Sequence, residues 1–301
     1  MEQTGQAGLA RVLSQPDVVA GAEGLALSWA DQTLTLRLRG AGRAPADIGG
    51  HLRRSFLGAL GPGASPEAQA GHPCCWEPPC ALDVFRREQL RGPRGDGLPK
   101  PYVIAAWPEG RDLIVTLRVI GMAIDWAMVA FEAMVAGIGM ILPWSKLVPG
   151  LNSPPEITAR EIDFHRIAVT ESPAALRLSF LSLMDASGTD AQAEPHTVLA
   201  RALRRADALS RWNGMALDTD VATGISAGLR QLDYDTSALR PSRYSSPNRH
   251  KQTRQDPALG GGLLVRGDLT EIWPALLIAE RAHIGRKAVE GLGRVRLERL
   301  G

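Results

Sequence analysis

Lysine is scarce in this chain. Of its 34 basic residues only Lys100, Lys146, Lys251 and Lys287 are lysines, so arginine carries the positive charge. A guanidinium forks bidentately onto phosphate oxygens and stacks on bases, although a GC-rich genome raises arginine content without any such use. Cysteine is scarcer still, and Cys74, Cys75 and Cys80 crowd one short stretch. His72 joins them as a fourth donor, but adjacent cysteines followed by a four-residue gap fit no paired zinc spacing, and no metal site is expected. The opening MEQTGQAGLARVL has neither the basic flank nor the long apolar core of a signal peptide, so a reducing, cytoplasmic location is expected. The most membrane-like stretch, Val119 to Trp144, is broken by Asp125 and Glu132, holds Gly137, Gly139 and Pro143, and reads as buried core. HExxH is absent and the carboxylates are scattered, so zincin, metal-assisted and serine-hydrolase chemistries are not expected, and any catalysis is expected to need no metal or cofactor.

What is present is a globular composition, 45% hydrophobic and 22% charged, which buries a sizeable core and excludes disorder. The 301 residues suit two domains, with the boundary in the proline-rich passage Pro143 to Pro155, giving residues 1–150 and 151–301. In the first half, Leu34, Leu36 and Leu38 alternate with Thr35, Arg37 and Arg39, which predicts a half-buried strand within Leu25 to Arg39. Ile48 to Leu60 predicts a helix with Leu52, Phe56, Leu57 and Leu60 inward and His51, Arg53 and Arg54 near its start. Two strands joined at PEGR and a helix from Ala123 to Ala136, stopped at Gly137-Ile138-Gly139, follow.

The second half offers strands at Arg160 to Val169 and Ala175 to Leu183, then an amphipathic helix from His196 to Trp212 with Val198, Leu199, Leu203 and Leu209 inward. Arg240 to Arg254 holds no acid and reads as a charged loop. A strand in GGGLLVRGDL, a helix from Glu271 to Ala282, a glycine segment and a terminal strand complete the chain. The order strand, helix, GIG in the first half is mirrored by strand, helix, GLG in the second, which points to a tandem duplication. The predicted fold is α+β: two tandem ferredoxin-like β-α-β-β-α-β domains, RRM-like, with a C-terminal glycine-rich loop.

Two segments carry chemistry. Gly285, Gly291 and Gly293 let a backbone approach a phosphate while Arg286, Lys287, Arg294 and Arg296 supply charge; a helix cap and a tight turn explain the same glycines. The Arg240 to Arg254 segment either tracks a nucleic-acid backbone, with Tyr244 stacking on a base, or is a solvated loop. Together with the basic start of the first helix these make three basic elements, which suggests a groove for a polyanion.

In order along the chain, GGHLRRSFLGALG, PCALDVFRRE, PKPYVI, RVIGMAIDWAMVAFEAMVAGIG, LRLSFLSLM, HTVLARALRRADALSRWNG, RYSSPNRHKQTRQ and GGLLVRGDLTEIWPALLIAERAHIGRKAVEGLGRVRL resemble successive blocks of one family. They are similar to the CRISPR-associated endoribonucleases of the RAMP superfamily that mature precursor guide RNA, including the variant from systems that lack an effector nuclease. The resemblance implies metal-independent cleavage of the CRISPR repeat near a hairpin base, leaving a 2′,3′-cyclic phosphate and a 5′-hydroxyl. The partners it implies are precursor and mature crRNA and other subunits of an effector complex, with no membrane. The alternative is a catalytically inactive crRNA-binding subunit. His51 is the leading general base because imidazole titrates near neutral pH, though it also reads as an ordinary surface histidine. Tyr244, His250 and Lys251 follow, with Arg39, Arg53 and Arg243 as substitutes. RNA contact is expected from Arg37, Arg53, Arg54, Arg249, Arg254, Gly285, Arg286, Lys287, Gly291, Gly293 and Arg294.

Overall fold

The computed structural model describes residues 4–91, 97–141, 143–187, 194–247 and 253–300. In chain order the elements are α1 (Thr4–Ser14), β1 (Val18–Ala20), α2 (Ala22–Ser28), β2 (Ala30–Leu38), α3 (Ile48–Ala59), α4 (Pro66–Gln69), α5 (Ala81–Arg86), β3 (Tyr102–Glu109), β4 (Asp112–Ile120), α6 (Ala127–Met140) and β5 (Ile157–Arg166). They continue as β6 (Ala175–Asp185), α7 (His196–Ser210), β7 (Met215–Leu217), α8 (Thr219–Gly228), β8 (Asp233–Asp235), β9 (Leu239–Pro247), β10 (Thr253–Arg266), α9 (Trp273–Ala282) and β11 (Val295–Leu300). The chain divides into two compact units: Met1–Asp17, Ala30–His165 and Arg211–Gly214 form one; Val18–Trp29, Arg166–Ser210 and Met215–Gly301 form the other.

The first unit runs β2-α3-β3-β4-α6-β5, and its sheet has the order β3-β4-β2-β5. That is the ferredoxin-like arrangement, in which the first and third strands are central. Strand alternation sends Leu34, Leu36 and Leu38 of β2 to the same face as Val115 and Leu117 of β4. Leu52 and Phe56 of α3 and Phe131 and Met134 of α6 complete this core, all fully buried. On the opposite face Arg118 pairs with fully buried Asp31 at 3.3 Å and donates to Thr33 Oγ1 at 3.1 Å.

The second unit repeats the plan as β6-α7-β8/β9-β10-α9-β11, with order β11-β6-β10-β8 and β9 also on β10. Its second strand is split, so the long β10 pairs with β9 through its first half and β8 through its last three residues. Val198, Leu199, Leu203 and Leu209 of α7 are buried as the amphipathic spacing requires.

Three expectations need correction. Leu25 to Ser28 is helical, because Leu25, Ala26 and Trp29 fall on one buried helical side while Leu27 is exposed; the strand begins at Ala30. Gly137 and Gly139 do not stop the helix, which begins at Ala127 and runs to Met140. A Cβ on Gly137 would lie 3.0 Å from Phe56 N, so glycine there lets α6 cross close to α3. The GIG and GLG segments are therefore not equivalent. Arg240 to Arg254 is no loop: its described residues are the paired strands β9 and β10. The apolar helical stretch Gly121–Met140 is long enough to cross a membrane by composition, and it packs Phe131, Met134 and Ile138 inward.

Candidate functional site

In the first unit, burial of Leu52 and Phe56 orients α3 so that His51 is half-buried and Arg54 exposed one turn on. Burial and the Arg54 charge depress the His51 pKa, and Asp47 opposes them only in part. The imidazole is thus neutral at neutral pH and able to accept a proton. Arg53 donates from Nε to Tyr102 Oη at 3.2 Å, and Tyr102 packs edge-on with Phe56 and Phe85 at centroid distances of 5.5 and 5.7 Å. Arg39, at the end of β2, meets Glu156 at 2.6 Å with both side chains mostly exposed. Such a pair contributes at most about 1 kcal/mol and opens readily to a competing anion. Arg37 is held by Glu109 and by Asp112 at 3.3 Å, so its charge is already matched by two carboxylates.

In the second unit, Tyr244 of β9 lies directly opposite Asp256 of β10. Its hydroxyl donates to Asp185 Oδ2 at 3.3 Å, and Lys287 Nζ sits 4.5 Å from its ring centroid. Lys287 also reaches Asp256 Oδ2 at 3.4 Å. Burial, then the charges of Asp185 and Asp256, push the Tyr244 phenol pKa up. Burial alone would raise the Asp185 carboxyl, but hydrogen bonds from Ser187 and Tyr244 and the Lys287 charge outweigh it and hold it low. Tyr244 is therefore a hydroxyl donor at neutral pH rather than a base. Arg243, its neighbour, is exposed.

The glycine segment is fastened to β6: Gly293 N donates to Leu183 O at 2.8 Å, Leu181 N to Arg294 O at 2.8 Å, and Ser182 Oγ to Gly291 O at 2.7 Å. Gly285, Gly291 and Gly293 all have positive φ, as does Lys287 at 59°. Arg286 is exposed at the tip, whereas Arg294 is half-buried. The structure thus brings together Tyr244 and Lys287 in one unit and His51, Arg53 and Arg54 in the other. Arg249, His250 and Lys251 lie outside the described residues. Arg254 is in β10 opposite Ser246.

Cys74 and Cys80 are buried free thiols and Cys75 an exposed one; among the described residues no group of three or more His, Cys, Asp or Glu side chains is placed to hold a metal ion. The sequence does contain a GxSxG spelling, GISAG at 224–228, but Ser226 lies inside α8 with Oγ bonded to Ala222 O at 2.7 Å, not on a strand-to-helix elbow. The nearby Asp218-Thr219-Asp220 is a helix cap, Asp218 accepting from Asp220 N and Val221 N. Sequence reasoning missed Asp185 and Asp256, which are marked only by being carboxylates within or ending apolar strands.

Two β-α-β-β-α-β units in one chain define the class of fold. No family model matches the sequence, and no curated protein matches it. Solved structures share the fold over most of their length. A Cas6 product complex superposes with a TM-score of 0.54 at 15% identity, covering 89% of this chain and 99% of that one. Thermus thermophilus Cas6 gives 0.51 at 14% identity, over 90% and 99%, and a second Cas6 product complex 0.50 at 17%, over 89% and 99%. The tandem ferredoxin-like fold of this chain is that of these Cas6 structures.

Proposed function

We propose that this protein is an endoribonuclease that cleaves CRISPR repeat RNA within precursor crRNA, near the base of a hairpin, without a metal ion. The carrying observation is the shared tandem fold with Cas6 structures, one of them a product complex, over 89% of the chain. The ordered sequence blocks and the neutral, half-buried His51 support the same reading. The two compact units, the first completed by β5 beyond the proline-rich passage, would be its two RAMP domains, acting in the cytoplasm where the precursor is transcribed.

The chemistry is transesterification. His51 takes the proton of the 2′-hydroxyl, the oxygen attacks the adjacent phosphorus in line, and the P–O5′ bond breaks. Arginines neutralise the charge that develops on the non-bridging oxygens, and a protonated group supplies the leaving 5′-oxygen with its proton. The products carry a 2′,3′-cyclic phosphate and a 5′-hydroxyl. Arg39 and Arg54, exposed beside β2 and on α3 of the same unit as His51, are the cations for this work.

The second reading, a crRNA-holding subunit without activity, is favoured by Tyr244 and Arg37 being tied to carboxylates. Incubation of the protein with 5′-labelled repeat RNA in EDTA separates the two. A single cut with a cyclic-phosphate end is expected. Bound but uncut RNA at stoichiometric protein selects the holder, and failure to bind any RNA at low salt rejects both.

A further inference from the structure

The segment between α3 and β3 holds Cys74, Cys75 and Cys80 in three different settings, all within the first unit. Cys74 is fixed through its backbone, whose N–H donates to Asp83 Oδ1 at 3.1 Å. Cys80 stands at the start of α5, where its carbonyl accepts from Asp83 N at 3.0 Å and Val84 N at 3.2 Å. Just before it the Trp126 indole donates to Pro79 O at 2.8 Å, so the stretch that separates the two cysteines is tied down at both ends. Held in this way, the chain folds back on Cys74: Cys80 N donates to its Sγ at 3.3 Å and Trp76 N at 3.4 Å. With the Cys80 backbone in direct contact with the Cys74 sulfur, rotation about the Cys80 side chain is enough to bring the two sulfurs together.

A sulfur that accepts two amide N–H groups is suited to carry negative charge. Burial would raise the Cys74 thiol, but hydrogen bonds from Ser65, Cys80 and Trp76 outweigh it and bring the pKa down. Cys80 is the opposite case, because burial pushes its pKa up and leaves it a thiol. Cys75, although exposed, donates to Glu67 Oε2 at 3.2 Å, and that bond raises its pKa as well. A nucleophilic sulfur therefore lies beside a protonated one, and the exposed cysteine is held in its unreactive form. Cys74 and Cys80 are buried, yet Cys75, Trp76, Glu77 and Pro78 between them are all exposed. The pair thus lies directly beneath the surface, within reach of a small oxidant.

We propose that Cys74 and Cys80 are a redox pair that a hydroperoxide converts reversibly into a disulfide, with Cys75 left as a free thiol. The Cys74 thiolate attacks one peroxide oxygen and the O–O bond breaks. The departing oxygen takes up a proton and leaves as water or an alcohol, and Cys74 becomes a sulfenic acid. The Cys80 sulfur then attacks the Cys74 sulfur, the S–O bond breaks, and the hydroxide leaves with the Cys80 proton as water. Two electrons pass from the two sulfurs to the peroxide, and a dithiol reductant returns them. In a reducing compartment such a bond is transient and responds to oxidant rather than holding the fold.

The test uses the full chain and hydrogen peroxide, after which the protein is denatured, alkylated and weighed whole. Wild type is expected to lose two hydrogens and to fall from three alkylated thiols to one, with dithiothreitol restoring all three. Fragmentation of the tryptic peptide 55–86, which carries all three cysteines, should place the remaining label on Cys75. Cys80→Ser should stop the reaction at a Cys74 sulfenic acid, trapped by dimedone, whereas a dimedone adduct on Cys75 instead would overturn the pair. So would three thiols surviving peroxide that oxidises free cysteine, a disulfide that includes Cys75, or oxygen-bearing products that dithiothreitol does not reverse. The wild-type measurement stands by itself, whatever the folding of the variant.

Discussion

Gly293→Ala tests whether the glycine segment owes its residues to backbone geometry. Gly293 has φ of +72°, and a Cβ built there would stand 1.9 Å from Ile284 O and 2.9 Å from its carbonyl carbon. No rotamer relieves such an overlap, since the Cβ position is set by the backbone. The segment must shift by more than 1 Å, roughly the gap to an ordinary contact, and two short hydrogen bonds lie across the shift. They run from Ile284 N to Gly293 O at 2.7 Å and from Gly293 N to Leu183 O at 2.8 Å. The left-handed conformation costs alanine about 1 kcal/mol, and each weakened buried bond about 1 kcal/mol more. The expected loss is about 3 kcal/mol. Gly285→Ala is the control: it has φ of +82° but its nearest neighbour, Met184 Cγ, is at an ordinary 3.4 Å, so only about 1 kcal/mol is lost. Native-state hydrogen exchange of the β6 and β11 amides reads both values within the unit concerned. Equal costs for the two variants would refute the close-approach argument.

Removing Arg118 takes away a cation paired with a fully buried carboxylate, so Arg118→Met should lower the stability of the first unit by about 3–5 kcal/mol, read from exchange of the β2 and β4 amides. Tyr244→Phe removes one donor to Asp185 and should cost about 1–2 kcal/mol near neutral pH. Because the folded Asp185 pKa is depressed, that stabilisation is present above the ordinary carboxylate pKa and is lost as the pH falls through the folded value. The Tyr244→Phe deficit should therefore shrink in acid; a deficit independent of pH would show that the hydroxyl does not act through the carboxylate.

Much of the scaffold is legible in the residues, for reasons that differ from element to element. Ile48 to Ala59 declares itself because Leu52 and Phe56 repeat at helical spacing, and β2 because Leu34, Leu36 and Leu38 alternate with polar residues. The start of β2 is obscured by LALSW, whose apolar residues suit either period. The strand β9 is hidden because both of its faces are polar or charged, leaving no alternation to read. Gly137 and Gly293 spell the same signal, yet one permits a helix crossing and the other a positive φ. Local sequence carries no mark that distinguishes them. The site follows the same division. His51 and Tyr244 are visible as chemically capable side chains, but the burial of His51 is not written in its neighbours, and Asp185, which Tyr244 bonds, lies 59 residues away.

The central claim is that this fold cuts RNA with His51 as the base. Single-turnover cleavage of repeat RNA in EDTA, measured across pH for wild type and His51→Ala, tests it most directly. With the imidazole pKa depressed, the wild-type rate should climb with pH and level off, with a midpoint below that of a free imidazole. His51→Ala should lose about 10²–10⁴-fold in rate and the acid limb of the profile. A variant that cuts at the wild-type rate with the same profile would contradict the account.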